Sequence, residues 1–415
     1  MPVLRSSSTF SDQDASRPVG LVQRLTPVSP AASVTRARRI AMMVAATAAL
    51  WLGSTGLAQA QLEPTRADPA SLEVSTIADG LASPWGLAFL PDGAMLVTEK
   101  AGQLRRITSK GEVGQPIAGV PKVFARGQGG LLDVALSPGF NKDRRVYLSF
   151  AEAGDDAAGT AVGYGRLSAD NSRLDDFKVI FRQTPKLSSG NHFGSRLVFD
   201  PAGFLYISLG ENNERPTAQD LDKHQGKVVR VTAEGETPKD NPFVGRANAL
   251  PEIWTYGQRN PQGMALHPVT GEVWTSEHGP RGGDEVNVAE RGKNYGWPRA
   301  THGVNYSGLP IPEREGDAVK GTEPPLYVWK KSPAISGMAF YKGDRYPVWN
   351  NALFIGALGS KDVIRLTLDG RRVVAEERLL GDLDRRIRDV RVGPDQALYV
   401  LTDGRRGQLL RVTPR

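Results

Sequence analysis

The chain has 415 residues, 40% of them apolar and 23% charged, and it contains no cysteine. Its length allows one large domain or two ordinary ones, and the absence of thiols excludes disulfides, thiolate catalysis and Cys-ligated zinc. The +7 charge is concentrated in 1–60, where six arginines face only Asp12 and Asp14; the remainder carries +3 without a basic stripe, so nucleic acid is not an expected partner.

Residues 1–33 are rich in Ser, Pro and Ala and show no apolar period. Arg36, Arg38 and Arg39 then precede an apolar run from Ile40 to Leu52, and Ala58-Gln59-Ala60 follows. A basic region, an apolar core and a small-x-small site are the three parts of a secretory signal. The core, about 13 residues long, is short for crossing a bilayer. An uncleaved anchor is the alternative, and Arg38-Arg39 also raises a twin-arginine signal, although its flanks match poorly. The sequence thus predicts 1–60 as an N-terminal extension and signal. It predicts 61–415 as the folded domain, periplasmic and without stable membrane insertion after cleavage.

Past residue 80 one pattern recurs: an apolar alternating strand, a Pro/Asp/Gly turn, then a second apolar strand. The copies open at Gly86-Leu87-Ala88-Phe89, Asp133-Val134-Ala135-Leu136, Arg196-Leu197-Val198-Phe199, Gly263-Met264-Ala265-Leu266, Gly337-Met338-Ala339-Phe340 and Asp389-Val390-Arg391-Val392. The second strands are 95–98, 146–150, 205–209, 273–276, 352–357 and 397–402. Copies recur every 47 to 74 residues, roughly, as in repeat folds. Further strands follow many copies, as at 103–107, 227–231, 363–368 and 408–412. Sheets of this size cannot bury both faces alone, and radial packing hides them. The expected fold is all-β, a six-bladed β-propeller of four-stranded antiparallel blades, with a β-sandwich as the alternative.

Four loops concentrate polar residues. Gly190 to Arg196 carries His192 just before a strand, where an imidazole can take a proton or simply bond backbone. Gly257 to Gly263 carries Arg259 and Asn260, a donor fork beside a mixed donor and acceptor. Ser276 to Asn287 combines a Gly-Pro segment with Asp284 and Glu285, a source of carbonyl and carboxylate oxygens for calcium or a solvated acidic turn. In Arg385 to Asp389, strand alternation puts Arg386 and Arg388 on one face, suited to a multiply charged anion or to solvent. No Gly-x-Gly-x-x-Gly opens a helix after a strand, and no Gly-x-Ser-x-Gly elbow occurs. Redox chemistry on such a scaffold needs a cofactor other than a nicotinamide held in that way.

In the order and joint presence of these loops, together with 127–133 and 210–216, the chain resembles the soluble aldose sugar dehydrogenases that use pyrroloquinoline quinone (PQQ), relatives of soluble quinoprotein glucose dehydrogenase. The resemblance runs from about Leu81 to the C-terminus. It implies hydride transfer from the anomeric carbon of an aldose to PQQ, assisted by calcium, giving a lactone and passing electrons to an external acceptor. It also implies roles. His192 matches the general base, and Gln128, Arg259, Asn260 and Tyr306 match contacts to cofactor or substrate. The loop Ala357-Leu358-Gly359 and the segment Arg386-Ile387-Arg388 match cofactor-facing stretches. Gly279 and Pro280 match carbonyl donors to calcium, and Glu285 and Tyr295 match positions tied to a calcium site. A monomer or weak dimer is expected.

Two departures stand out. Asn191 precedes the histidine where the glucose-dehydrogenase branch has an acidic residue, which suits the aldose-type branch. Gly359 stands where the family usually presents a lysine; Lys361 reaching in, or loss of that contact, are the alternatives. The rival functions are a six-bladed lactonase or other metal-dependent hydrolase, and a non-catalytic propeller that binds sugar or protein.

Overall fold

In the computed structural model, which describes residues 62–415, the first strand of every repeat copy becomes the innermost strand of one sheet. These strands are Pro84–Phe89, Leu131–Leu136, Leu197–Phe199, Pro261–Leu266, Ile335–Tyr341 and Ile387–Val392. Each packs against the next, and the last packs against the first, so six sheets close into a ring. The fold is a six-bladed β-propeller of four-stranded antiparallel blades, as the repeat spacing predicts. The proposed signal at 1–60 lies outside the described residues.

Second strands such as Met95–Glu99, Leu205–Leu209 and Ala352–Ala357 are buried along their whole length, because each lies between two neighbouring blades. Outer strands such as Leu174–Arg182 turn much of their surface to water. The apolar core is accordingly divided into wedges. Leu96, Leu104, Leu148 and Phe150 fill the interface between blades one and two, and Phe354, Ile387, Leu398 and Val400 fill that between five and six.

Hydroxyls stitch the wedges together. Ser149 accepts from the Asp133 amide at 2.8 Å and donates to the Ser195 carbonyl of the next blade at 2.6 Å. Ser208 accepts from Arg196 at 3.0 Å and donates to Pro261 at 2.9 Å. Thr98 bonds Gly86 and Leu132 in the same way. Each such bond contributes about 1 kcal/mol net, and losing one would orphan a buried group.

The leading residues of the copies form the axis. Arg196 lies 3.2 Å from Asp133 and 3.1 Å from Asp389, and Arg391 closes the set at 2.8 and 2.9 Å from the same two carboxylates. Gly337 has no side chain because a Cβ there would sit 1.9 Å from Asp389 Oδ1; at Gly86 a Cβ would sit 2.7 Å from Asp133 Oδ1.

The sixth blade is shared between the two ends of the described chain. Its three inner strands come from 387–414, and its outermost strand is Leu72–Leu81, paired antiparallel with Gly407–Pro414. This closure leaves no free inner edge on the ring. Ahead of it, Thr65–Arg66 adds a short parallel strand to the outside of the fifth blade. Among the described residues no helix is long and apolar enough to cross a membrane.

Candidate active site

The loops that enter the innermost strands gather at one end of the ring, around a cavity of about 260 Å³. Of the residues singled out from sequence, Gln128, His192, Arg259, Asn260, Tyr306, Leu358, Arg386 and Arg388 all line it.

His192 is held in a left-handed backbone conformation, φ +53°, which costs energy in a residue other than glycine. Its amide donates to Gln128 Oε1 at 2.9 Å, while its carbonyl accepts from the side-chain amide of Asn212 at 3.1 Å. The imidazole Nδ1 lies 2.6 Å from Glu211 Oε2, and that oxygen also accepts from the Asn213 amide at 2.8 Å. A buried carboxylate only accepts, so Nδ1 carries the proton and Nε2 keeps its lone pair.

Arg259 sits over the Trp297 ring at 5.4 Å and donates through Nη1 to the carbonyls of His278 and Gly279, at 3.2 and 2.9 Å. Its Nε is buried without an acceptor among the described residues. Asn260 Oδ1 accepts from Gly194 at 3.1 Å and so ties this loop to the histidine loop. Arg386 and Arg388 share Asp403, at 3.0 and 3.3 Å, and Arg388 also donates to Gln262 Oε1 at 3.0 Å. Arg388 Nε, like that of Arg259, is buried and unpartnered. Tyr306, 74% exposed, stands at the rim.

The remaining sequence candidates lie elsewhere. Ala357 and Ile387 bury their side chains in the apolar wedges on either side of the fifth blade, so only their backbone is left to face a ligand. Gly359 donates to Pro333 O at 2.8 Å, and a Cβ on it would sit 2.8 Å from the same oxygen. Lys361 pairs with Asp384 at 2.7 Å. Pro280 is buried.

Gly279, Glu285 and Tyr295 line a second, much smaller void that adjoins Arg259 and includes Glu277. Burial pushes the Glu277 carboxyl up to about 7, and burial together with the Glu277 charge pushes Glu285 well up. Neither carboxylate has an ion-pair partner among the described residues; the Asn287 amide donates toward both, at 3.5 and 3.3 Å. Asn287 Oδ1 is buried without a donor. The Tyr295 hydroxyl is engaged with the Val288 carbonyl.

Sequence reasoning gave no role to Glu211, Glu277, His278 and Gln262, which lie in segments it singled out, and did not notice Trp85 and Lys100. His278, Gln262, Trp85 and Lys100 line the main cavity, and Trp85 separates it from the axis, its ring covering the Arg196 guanidinium at 4.1 Å. Glu211 lay within a segment already noted, but only strand register brings it to His192.

A family model for glucose/sorbosone dehydrogenase matches residues 81–411. The chain is 58% identical over 351 residues to an aldose sugar dehydrogenase of Escherichia coli K12, covering 84% of this chain and 95% of that one. A solved glucose dehydrogenase is 62% identical, covers 83% of this chain and 100% of its own, and superposes with a TM-score of 0.82. The PQQ-bound aldose sugar dehydrogenase of Streptomyces coelicolor is 29% identical with a TM-score of 0.69, covering 84% of this chain and all of that one. The chain is a member of the glucose/sorbosone dehydrogenase family.

Proposed function

We propose that the protein oxidises aldose sugars at the anomeric carbon to lactones, with PQQ and calcium as resident groups and an external acceptor for the electrons. The observation that carries this reading is the His192–Glu211 pair facing a cavity walled by guanidinium groups. The residues fit a flat anionic cofactor, because Arg259 and Arg388 line the cavity and each has a buried Nε without an acceptor among the described residues. They fit calcium as well: Glu277 is buried and Glu285 half-buried, neither has an ion-pair partner among the described residues, and Asn287 Oδ1 lacks a donor.

Arg386, Arg388 and Arg259 would hold the cofactor, with Gln128, Asn260, Tyr306 and the backbone at 357–359 and 387 completing its surround. The Gly279 and Pro280 carbonyls would hold one calcium; the Gly279 oxygen keeps a second lone pair beside its bond from Arg259. Glu285 and Tyr295 belong to a second calcium position. When bound, PQQ with calcium supplies the two-electron acceptor for the hydrogen leaving the anomeric carbon.

The protein's own part is positioning and proton transfer. His192 Nε2 takes the proton of the anomeric hydroxyl, and Glu211 stabilises the imidazolium that results. The oxygen left behind forms the lactone carbonyl as the anomeric C–H bond breaks. Arg259 faces the charge that accumulates in the cavity. Residues 1–60 act as the export signal and 61–415 as the mature enzyme, which works in the periplasm.

The test is reconstitution. PQQ and calcium chloride are added to the purified protein, and reduction of an artificial dye is followed with a panel of aldoses. Dye reduction that needs sugar, PQQ and calcium together is the expected outcome. Lactone hydrolysis without any acceptor, or no response to PQQ, would replace this reading with the hydrolase or the binding propeller.

A further inference from the structure

We propose that Lys100 is a cofactor-anchoring residue, whose ammonium joins Arg388 in receiving a carboxylate of the bound quinone. The proposal rests on the reading above and adds to it a contact from the first blade.

Lys100 follows the buried second strand of that blade, and its backbone is fixed on both sides. Its amide donates to Ser83 O at 3.1 Å, and its carbonyl accepts from Leu131 N at 3.1 Å, across the interface to the second blade. Gly130 approaches so closely that a Cβ there would sit 2.2 Å from the Lys100 oxygen. The side chain therefore leaves a rigid base and ends on the cavity wall. Its Nζ donates to Gly127 O at 3.0 Å, and no carboxylate pairs with it among the described residues. An ammonium has three donors, so two remain for a ligand.

The neighbourhood is short of negative charge. Asp403 is already shared between Arg386 and Arg388. Burial and the Arg388 charge hold the Lys100 ammonium below its ordinary value, with Asp403 only partly opposing them. A carboxylate placed between Lys100 and Arg388 relieves that repulsion and satisfies the buried Arg388 Nε. The fifth-blade loop offers no substitute. A side chain at position 359 would meet Pro333 O, and Lys361 lies off the cavity wall in an exposed pair with Asp384.

The experiment measures PQQ affinity directly, by quenching of intrinsic tryptophan fluorescence in the presence of calcium, with no sugar and no dye. Lys100→Met is expected to raise Kd about 10-fold, the loss of one partly buried ion pair, and Lys100→Arg to restore it to within about 3-fold. Lys100→Gln serves as a second neutral variant, with urea midpoints confirming that each is folded. The dependence of Kd on salt should become shallower in the neutral variants. The trimethyl ester of PQQ, which lacks carboxylates, should bind wild type and Lys100→Met alike. Wild-type affinity in both neutral variants would overturn the assignment of Lys100 while leaving the quinone reading intact. Failure of the wild-type protein to bind PQQ at all would overturn that reading and the assignment with it.

Discussion

Replacing Glu211 with glutamine isolates what the carboxylate does for His192. The two side chains are isosteric, so the loop 190–196 should keep its shape. One oxygen, Oε2, accepts from both the imidazole Nδ1 at 2.6 Å and the Asn213 amide at 2.8 Å. Glutamine meets both donors only if its oxygen takes that place, since the opposite orientation sets its NH2 group against the Asn213 N–H. The expected change is therefore from a charge-assisted bond, about 1.5–3 kcal/mol, to a neutral one of about 1 kcal/mol. The difference, about 0.5–2 kcal/mol, is lost where the imidazolium forms, so kcat should fall roughly 3- to 30-fold. A fall toward about 10²-fold or more would signal the flipped amide, with the proton moved to Nε2 and the base abolished. The assay is dye reduction at saturating aldose in PQQ- and calcium-loaded protein, with PQQ affinity measured beside it. Unchanged kcat in Glu211→Gln, or a loss explained by weaker PQQ binding alone, would refute the reasoning.

Removing the imidazole itself, in His192→Ala, should lower turnover about 10²–10⁴-fold while PQQ still quenches tryptophan fluorescence; near-normal turnover would remove His192 from the role of base. At the axis, Arg196→Met leaves Asp133 and Asp389 with Arg391 alone, and urea unfolding should show a loss of about 3–5 kcal/mol. Lys227 is buried under three carbonyls, and burial pushes its ammonium down to about 7. The folded state then binds fewer protons than the unfolded one from pH 7 up to the ordinary lysine range. Stability should rise with pH there, by at most about 1.4 kcal/mol per unit. Wild type should therefore gain stability relative to Lys227→Met between pH 7.5 and 9.5, and a constant difference would contradict the titration.

The six inner strands were readable because each alternates with period two and ends in a turn rich in Pro, Asp or Gly. Their neighbours in space were not. Asp133, Arg196 and Asp389 look like polar strand starts, and only the closed ring shows that they meet on one axis. The outer strand Leu72–Leu81 has no clear alternation, since mainly its ends are buried, and its pairing with the opposite end of the described chain leaves no local trace. In the site, the loops with unusual chemistry stood out: a histidine among glycines, an Arg-Asn-Pro run, two arginines in alternation. Glu211 and Lys100 did not, because an acidic residue after a strand and a lysine before Ala101-Gly102 are ordinary turn residues in isolation. Register and blade packing turn the first toward His192 and the second into the cavity.

The strand that completes the sixth blade is made early and used last. Thr76 must wait for Leu410, roughly 330 residues later, and bringing such distant segments together costs about 5 kcal/mol of chain entropy. Until that moment the circle is open, and the loops that will grip a ligand have no common centre. Processing at Ala60 would spare the strand, whereas a cut beyond Leu81 would strip the sixth blade of its outermost strand and bare the edge of Gly407–Pro414. The described chain therefore has little to lose ahead of its first long strand, and its loops acquire a shared centre only once the last strand, Gly407–Pro414, is in place.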